Sequence, residues 1–308
     1  MAKPHIVIVG AGALGCLFGQ GLHEAGCRVT LLTRTTESAA TLRENGIRFE
    51  ADGQTRTVTG IEATADYSAV HNASAVILLV KVWATESVAL SLAPHLTPNT
   101  MVLTLQNGLG NVEILRKHLP ASQVAAGITG CGATLLGTGH IRLGGIADTV
   151  MGEVDGGASA RLAVMRDILV KAGFPARVSD SITGAIWTKL MVNVALNPVS
   201  ALTGMRNGII ISTQDAFAIA AAALREAADV AAALNIRLEV DDPVEHMRRA
   251  GTLAGANETS MLQDLRAGRI TEIEAMNGEI ERRGNALGIP VPVNATLAAL
   301  IRLRQGTA

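Results

Sequence analysis

The chain has 308 residues, 48% of them hydrophobic and 17% charged, which excludes a disordered chain and is enough for two domains. Lys and Arg number 26 against 27 Asp and Glu, and a net charge of -1 leaves no bulk basic field for nucleic acid or an anionic membrane. Aromatic residues are only 2%, too few for base-stacking platforms, and three cysteines without a C-x-x-C pair or a His cluster speak against a disulfide framework and a metal site, and for a reducing, cytoplasmic setting.

Residues 5–9 form a short β-branched run that ends at Gly10, the signature of a buried strand. Residues 13–25 read as a helix stopped by Gly26, and 28–32 as a second strand. The uncharged stretches 6–22 and 119–139 are broken by Gly, Thr, Ser and Gln, so both are read as core rather than as signal or membrane segments. A short helix follows over 38–45, capped by Gly46, and a hairpin over 47–59 turns at Asp52-Gly53. Strands are expected at 75–80 and 101–105, helices at 86–93 and 112–118, and further strands across 123–151. Strands alternating with helices imply a parallel sheet covered on both faces. From residue 182 the pattern becomes helical, with an Ala-rich helix over 216–234, a helix opened by Pro243, an amphipathic helix over 271–287, and a last helix after Pro290 and Pro292. The expected domains are therefore 1–180, α/β, and 181–308, all-helical.

Gly10-Ala11-Gly12-Ala13-Leu14-Gly15 matches G-x-G-x-x-G between a strand and a helix, where the pattern is specific for a dinucleotide. The glycines give a tight turn, a close approach of backbone to diphosphate, and close packing of helix on strand. The second strand ends at Leu32-Thr33-Arg34 with no acidic residue to accept from a ribose hydroxyl, and Arg34 is placed to pair with a 2′-phosphate, so NADP is expected over NAD. Lys81 and Asn107 each follow a strand, at the carboxyl edge where such sheets bind ligands. Each is equally at home as a surface lysine or a turn residue.

Lys189, Asn193 and Asn197 fall at i, i+4 and i+8, one stripe on an otherwise apolar helix. One cation and two amides suit a small carboxylate or carbonyl substrate, whereas a structural network or a lysine reaching solvent gives the same spacing. Asn257 and Ser260 stand three apart before another helix, where capping is the simpler reading. Glu272 reads either as a first-turn acid or as a counter-charge for Lys189.

With these motifs in place, the chain resembles the ketopantoate reductases, or 2-dehydropantoate 2-reductases. The likeness runs through Lys81-Val82-Trp83, Gln106-Asn107-Gly108-Leu109-Gly110, the Lys189/Asn193/Asn197-Pro198 stripe, Ser260-Met261-Leu262-Gln263-Asp264 and Thr271-Glu272-Ile273-Glu274 to Asn277-Gly278. It implies an N-terminal Rossmann-type doubly wound sheet, an all-α C-terminal domain like that of 6-phosphogluconate dehydrogenases, and an active site in the cleft between them. It also implies NADPH-dependent reduction of 2-dehydropantoate to (R)-pantoate on the route to pantothenate and coenzyme A. By the same likeness Lys189 is the catalytic proton donor, and Asn193, Asn197 and Ser260 bind substrate, with Asn257, three residues before Ser260, a further substrate-binding candidate. Asn107 touches both cofactor and substrate, and Glu272 lies near the nicotinamide and the substrate hydroxyl. Gly10, Ala11, Gly12, Ala13, Leu14, Gly15, Arg34, Lys81 and Ala133 serve the cofactor. Asn207 falls where the family often has a substrate-contacting Asn, with different neighbours, and Gln106 stands where some members have His.

The expected partner is a small 2-oxo acid, with no nucleic acid, membrane or metal, and the chain is expected to act as a monomer or homodimer. Rival readings are a reductase of another 2-oxo acid, a 3-hydroxyacid dehydrogenase of the 6-phosphogluconate type, and a non-catalytic NADP sensor. The sensor has no use for the Lys–Asn–Asn stripe.

Overall fold

A computed structural model describes residues 3–157 and 159–306. By internal contacts the chain divides into two units, Met1–Gln106 with Asn111–Ile182, and Asn107–Gly110 with Thr183–Ala308. In the first, strands and helices follow one another as β1 (His5–Val9), α1 (Ala13–Glu24), β2 (Arg28–Leu32), α2 (Thr36–Asn45), β3 (Ile47–Ala51), β4 (Gln54–Val58) and β5 (Glu62–Thr64). Next come β6 (Ala75–Leu78), α3 (Thr85–Leu92), β7 (Met101–Thr104), α4 (Asn111–His118), β8 (Val124–Thr129) and β9 (Gly132–Gly137). The unit closes with β10 (His140–Gly145), β11 (Thr149–Glu153), α5 (Ala160–Lys171) and β12 (Ala176–Val178).

The main sheet has the order β12-β11-β8-β7-β6-β1-β2-β5. From β5 across to β8 all neighbours are parallel, and β11 runs antiparallel to β8. The chain leaves β1 for β2 on one side and later returns to β6 on the other. The topological switch therefore lies between β1 and β6, in a Rossmann-type doubly wound sheet. Strands β1, β6 and β7 are buried along their whole length, which is why they read as unbroken apolar runs.

The alternation over 47–59 and 123–151 does form strands, but four of them leave the main sheet. They make a second sheet of order β4-β3-β10-β9, packed on α1. Helix α1 is buried at every position from Gly15 to Leu22, so it needs cover on both sides, and the second sheet supplies it. The β3–β4 turn has Asp52 at φ 51° and Gly53 at φ 74°, the left-handed pair expected of this dipeptide.

His5 is buried at the start of β1, with Nε2 2.9 Å from Thr30 Oγ1, whose hydroxyl bonds Glu62. Burial, and then the nearby Arg28 guanidinium, hold its imidazole below 6.5. The unfolded chain thus takes up a proton before the folded one, so stability present above 6.5 is lost as pH falls through the folded value. Urea midpoints are expected to drop between about pH 7 and pH 5, with a shallower slope in His5→Gln. Equal slopes in the two proteins would remove His5 from the account.

The second unit holds seven helices among the described residues: α6 (Ile182–Thr203), α7 (Asn207–Ser212), α8 (Gln214–Ala233), α9 (Pro243–Leu253), α10 (Ser260–Arg266), α11 (Asn277–Leu287) and α12 (Pro292–Gly306). Pro243 and Pro292 occupy first turns, where the missing N–H costs nothing. The expected single helix over 271–287 is broken. A 3-10 turn at Ile273–Ala275 comes first, and α11 begins only after Met276, at φ -113° and ψ -100°. Tertiary bonds hold this segment out of a helix: Thr271 donates its N–H and hydroxyl to Gln305 Oε1, and Ala275 O accepts from Leu109 N–H at 2.8 Å. Glu272 is therefore not a first-turn helix acid but the residue that leads into the 3-10 turn.

Leu109 is buried among the helices, in the cluster with Trp187, Met191 and Ile273. This explains why Asn107–Gly110 belongs to the second unit, an excursion that a single division at residue 180 does not include.

Candidate active site

Three strand ends converge at the Gly-rich turn. Gly10 N–H donates to Leu32 O at 2.9 Å, and Leu79 N–H to Val9 O at 2.9 Å. Gly10 has φ +105°, and a Cβ there would lie 2.9 Å from Val80 N. A Cβ on Gly15 would stand 1.9 Å from Gly10 O, so this glycine is what lets α1 approach β1. Gly12 differs from both. Its φ of -78° suits any residue, and no protein atom lies within 4 Å of a Cβ built on it. Nothing in the fold requires glycine at Gly12, whereas a diphosphate drawn up to the backbone does. Gly12 is also the N-cap of α1, and no side chain caps that end, which leaves it fit to hold an anion.

Arg34 is exposed two residues beyond β2, and Thr35 beside it caps α2 by accepting from Ser38 N–H at 3.2 Å. No acidic side chain stands at this strand end. Lys81 follows Val80 and carries the 3-10 turn Val82–Ala84, with Ala84 N–H bonded to Lys81 O at 2.9 Å. The structure thus brings the Gly10–Gly15 turn, with Ala11, Ala13 and Leu14, into one region with Arg34 and Lys81 at the carboxyl edge. Strand β6 stops at Leu78 and β7 at Thr104, slightly short of the expected ends, so Lys81 and Asn107 stand on the loops beyond. Ala133 lies in β9 of the second sheet, opposite Leu143, and is half-buried against the core.

Gln106 was not expected to have a fixed task. It is buried, and its amide donates to Val80 O at 2.9 Å and Thr85 Oγ1 at 2.8 Å while accepting from Thr104 Oγ1 at 2.9 Å. Thr85 in turn donates to Asn111 Oδ1. This network ties the ends of β6 and β7 together.

In the helical unit, α6 presents the expected stripe. Lys189 and Asn193 are half-buried and Asn197 is 5% exposed, so the stripe runs from the surface inward. Lys189 Nζ donates to Asn107 Oδ1 at 2.8 Å, across 82 positions of sequence. The Asn193 side chain makes no hydrogen bond among the described residues. Asn197 Nδ2 points at Met276 Sδ, 3.4 Å away, a weak acceptor that leaves the amide's oxygen for another partner.

The Asn107 segment is itself pinned. Gly108 has φ +78°, and a Cβ there would meet Ala275 Cβ and O at 2.6 Å. Asn107, Lys189, Asn197 and the 272–276 turn are thereby gathered in one place. Glu272, 5% exposed, opens that turn.

Asn207, Asn257 and Ser260 form a second cluster. Asn207 N–H donates to Asn257 O at 3.2 Å, its Nδ2 reaches Ala254 O at 3.4 Å, and Gly208 N–H donates to Gly255 O at 3.1 Å. Asn207 therefore braces the loop that carries Asn257, and both Asn257 and Ser260 are exposed. Thr259, rather than Ser260 or Asn257, caps α10, accepting from Leu262 N–H at 3.2 Å.

The family model described as Ketopantoate reductase PanE/ApbA matches residues 6–156, and that described as Ketopantoate reductase PanE/ApbA C terminal matches 181–305. The chain belongs to the ketopantoate reductase family. A family relative, the 2-dehydropantoate 2-reductase of Halobacterium salinarum, is 36% identical over 301 residues, covering 97% of this chain and 98% of the relative. The crystal structure of a PanE/ApbA family ketopantoate reductase from Ralstonia eutropha superposes with a TM-score of 0.89 at 35% identity, covering 98% of this chain and 99% of that one. D-mandelate dehydrogenase in ternary complex with NADH and anilino(oxo)acetate superposes at 0.91 with 28% identity and the same coverage.

Two features of the site were not visible in single motifs. One is Met276, which takes the Asn197 amide. The other is Asn277, fully buried, whose amide reaches the backbone of α6. The interior proline of α6, Pro198, was the available signal, because a helix proline frees a carbonyl that must find another donor.

Proposed function

We propose that this chain reduces 2-dehydropantoate to (R)-pantoate with NADPH, the step that leads toward pantothenate and coenzyme A. The observation that carries the reading is the bond from Lys189 of the Lys189/Asn193/Asn197 stripe to Asn107, a polar constellation along one face of an otherwise apolar helix. Similarity to 2-dehydropantoate 2-reductases over nearly the whole chain supports it.

Unit 1 holds the cofactor in this reading: the Gly10–Gly15 turn and α1 take the diphosphate, Arg34 the 2′-phosphate, and Lys81 and Ala133 line the cofactor side. When bound, the nicotinamide supplies the reducing hydride. Asn193, Asn197, Asn207, Asn257 and Ser260 bind and orient the 2-oxo acid. Lys189 Nζ polarises the keto oxygen and donates the proton that turns it into the hydroxyl. Asn107 aims Nζ and orients both ligands, and Glu272 takes the place near the substrate hydroxyl. Among the described residues no helix is long and apolar enough to cross a membrane, and a cytoplasmic monomer or homodimer fits the reading.

The similarity to D-mandelate dehydrogenase names the competitor against which the substrate is tested, reduction of another 2-oxo acid. A panel of 2-dehydropantoate, phenylglyoxylate and branched 2-oxo acids, followed by nicotinamide absorbance, separates the two. The highest kcat/KM is expected for 2-dehydropantoate, and a higher value for any other acid overturns the choice of substrate. In the same assay, Arg34→Asp is expected to lower the NADPH-over-NADH preference by about 10- to 100-fold, the worth of a charge-assisted contact. An unchanged ratio removes Arg34 from the cofactor site.

A further inference from the structure

Pro198 sits inside α6 and has no N–H, so the carbonyl four residues back, Val194 O, lacks its helical donor. Asn277 supplies it: its Nδ2 donates to Val194 O at 2.9 Å. The repaired carbonyl lies between Asn193 and Asn197, inside the polar stripe. The same Nδ2 donates to Asn294 Oδ1 at 2.9 Å, and Asn294 Nδ2 to Ala223 O and Glu226 Oε2, each at 2.8 Å. Glu226 also accepts the N–H groups of Val293 and Asn294 at the start of α12. Asn277 and Asn294 are both 0% exposed. The chain of bonds therefore anchors the gap in α6 to α8, α11 and α12. Asn277 also follows Met276, whose sulfur takes the Asn197 amide, so two successive residues hold the break and the side chain beyond it.

Asn277 Oδ1 is buried without a partner among the described residues. A residue kept only for stability has no reason to carry this unpaired oxygen, and a plain helix residue in place of Pro198 makes the amide unnecessary. We propose that Asn277 is a positioning residue. By bonding Val194 O, which Pro198 leaves without a helical donor, it holds this turn of α6 and so the direction of Asn193 and Asn197 relative to Lys189. The inference rests on the reading of that stripe as the substrate site.

The test compares Asn277→Leu, Pro198→Ala and the double variant with the wild-type protein. Melting temperature, NADPH affinity, steady-state kinetics on whichever 2-oxo acid the wild type reduces best, and amide exchange of residues 190–203 are measured. In Asn277→Leu, kcat/KM is expected to fall at least ~10-fold, mostly through KM, with faster exchange in α6 and NADPH affinity changed by less than about twofold. Pro198→Ala gives α6 its own donor for Val194 O. The double variant should therefore regain melting temperature and slow exchange while kcat/KM stays low, because the tie from Asn277 that aims Asn193 and Asn197 is lost. A double variant that regains wild-type kcat/KM, or Asn277→Leu with unchanged kcat/KM, overturns the proposal and leaves Asn277 as a replacement helix bond. Should Asn277→Leu fail to fold, the double variant decides alone by the same split. A wild-type protein that reduces no 2-oxo acid overturns the functional reading instead. Exchange then decides for Asn277: faster exchange in Asn277→Leu supports its hold on α6, and unchanged exchange overturns it.

Discussion

Lys189→Ala is expected to lower kcat by at least ~100-fold, the lower end of general-acid effects. Lys189 Nζ is the donor at the head of the stripe, and its bond to Asn107 Oδ1 fixes where that donor points. In the proposed reading, removing it takes away both the proton and the positive charge that meets the keto oxygen as negative charge develops there. NADPH affinity is expected to hold, since Lys189 belongs to the helical unit and the Gly-rich turn to the other. Asn193→Ala, by contrast, is expected to raise KM with little change in kcat, because an amide that holds substrate and transition state alike contributes uniform binding. Melting curves accompany both, since deleting one member of a half-buried polar pair also changes stability. A folded Lys189→Ala protein with wild-type turnover removes the proton-donor role.

The second large effect separates Gly12 from Gly15 in the Gly10–Gly15 turn. Gly12→Asp is expected to weaken NADPH binding at least ~100-fold while the melting temperature holds or rises. Aspartate is a good N-cap, its charge suits the helix dipole, and no protein atom lies within 4 Å of its Cβ. The same carboxylate stands where the diphosphate approaches, and like charges a few ångströms apart repel strongly in such a site. Gly15→Ala gives the opposite pattern. Its Cβ would stand 1.9 Å from Gly10 O, so α1 must move off β1, at an overpacking cost of about 1–3 kcal/mol. Binding and stability are expected to fall together in Gly15→Ala and to part in Gly12→Asp. Isothermal titration with NADPH beside thermal melts reads both. Unchanged NADPH affinity in Gly12→Asp removes the turn from the cofactor site.

Much of this was legible from residues alone. The buried strands β1, β6 and β7 announce themselves as apolar runs, and the glycine spacing places the turn at a strand-to-helix junction. The i, i+4, i+8 spacing puts Lys189, Asn193 and Asn197 on one face before any coordinates are known. What stayed hidden depends on contacts remote in sequence. Lys189 bonds Asn107, 82 positions away, and no local pattern pairs them. Asn107–Gly110 joins the helical unit because Leu109 is buried there, a fact that strand periodicity cannot carry. The amphipathic pattern over 271–287 does suggest a continuous helix. Bonds from Gln305 and Leu109 override it and break the chain around Glu272. Alternation in 47–59 and 123–151 marked strands, but alternation is blind to which sheet a strand joins. The demand came from α1, buried along its middle, which needed a second cover.

The central claim, that the Gly-rich turn and the Lys189 stripe serve one reduction, is tested most directly by a single turnover. The protein preloaded with one equivalent of NADPH is mixed with 2-dehydropantoate, nicotinamide fluorescence is followed, and the product is resolved by chiral chromatography. One NADPH is expected to be consumed for each (R)-pantoate formed, with the fluorescence decay slowed at least ~100-fold in Lys189→Ala. A folded protein that binds NADPH tightly yet leaves its fluorescence unchanged in the presence of 2-dehydropantoate and the other 2-oxo acids would contradict it.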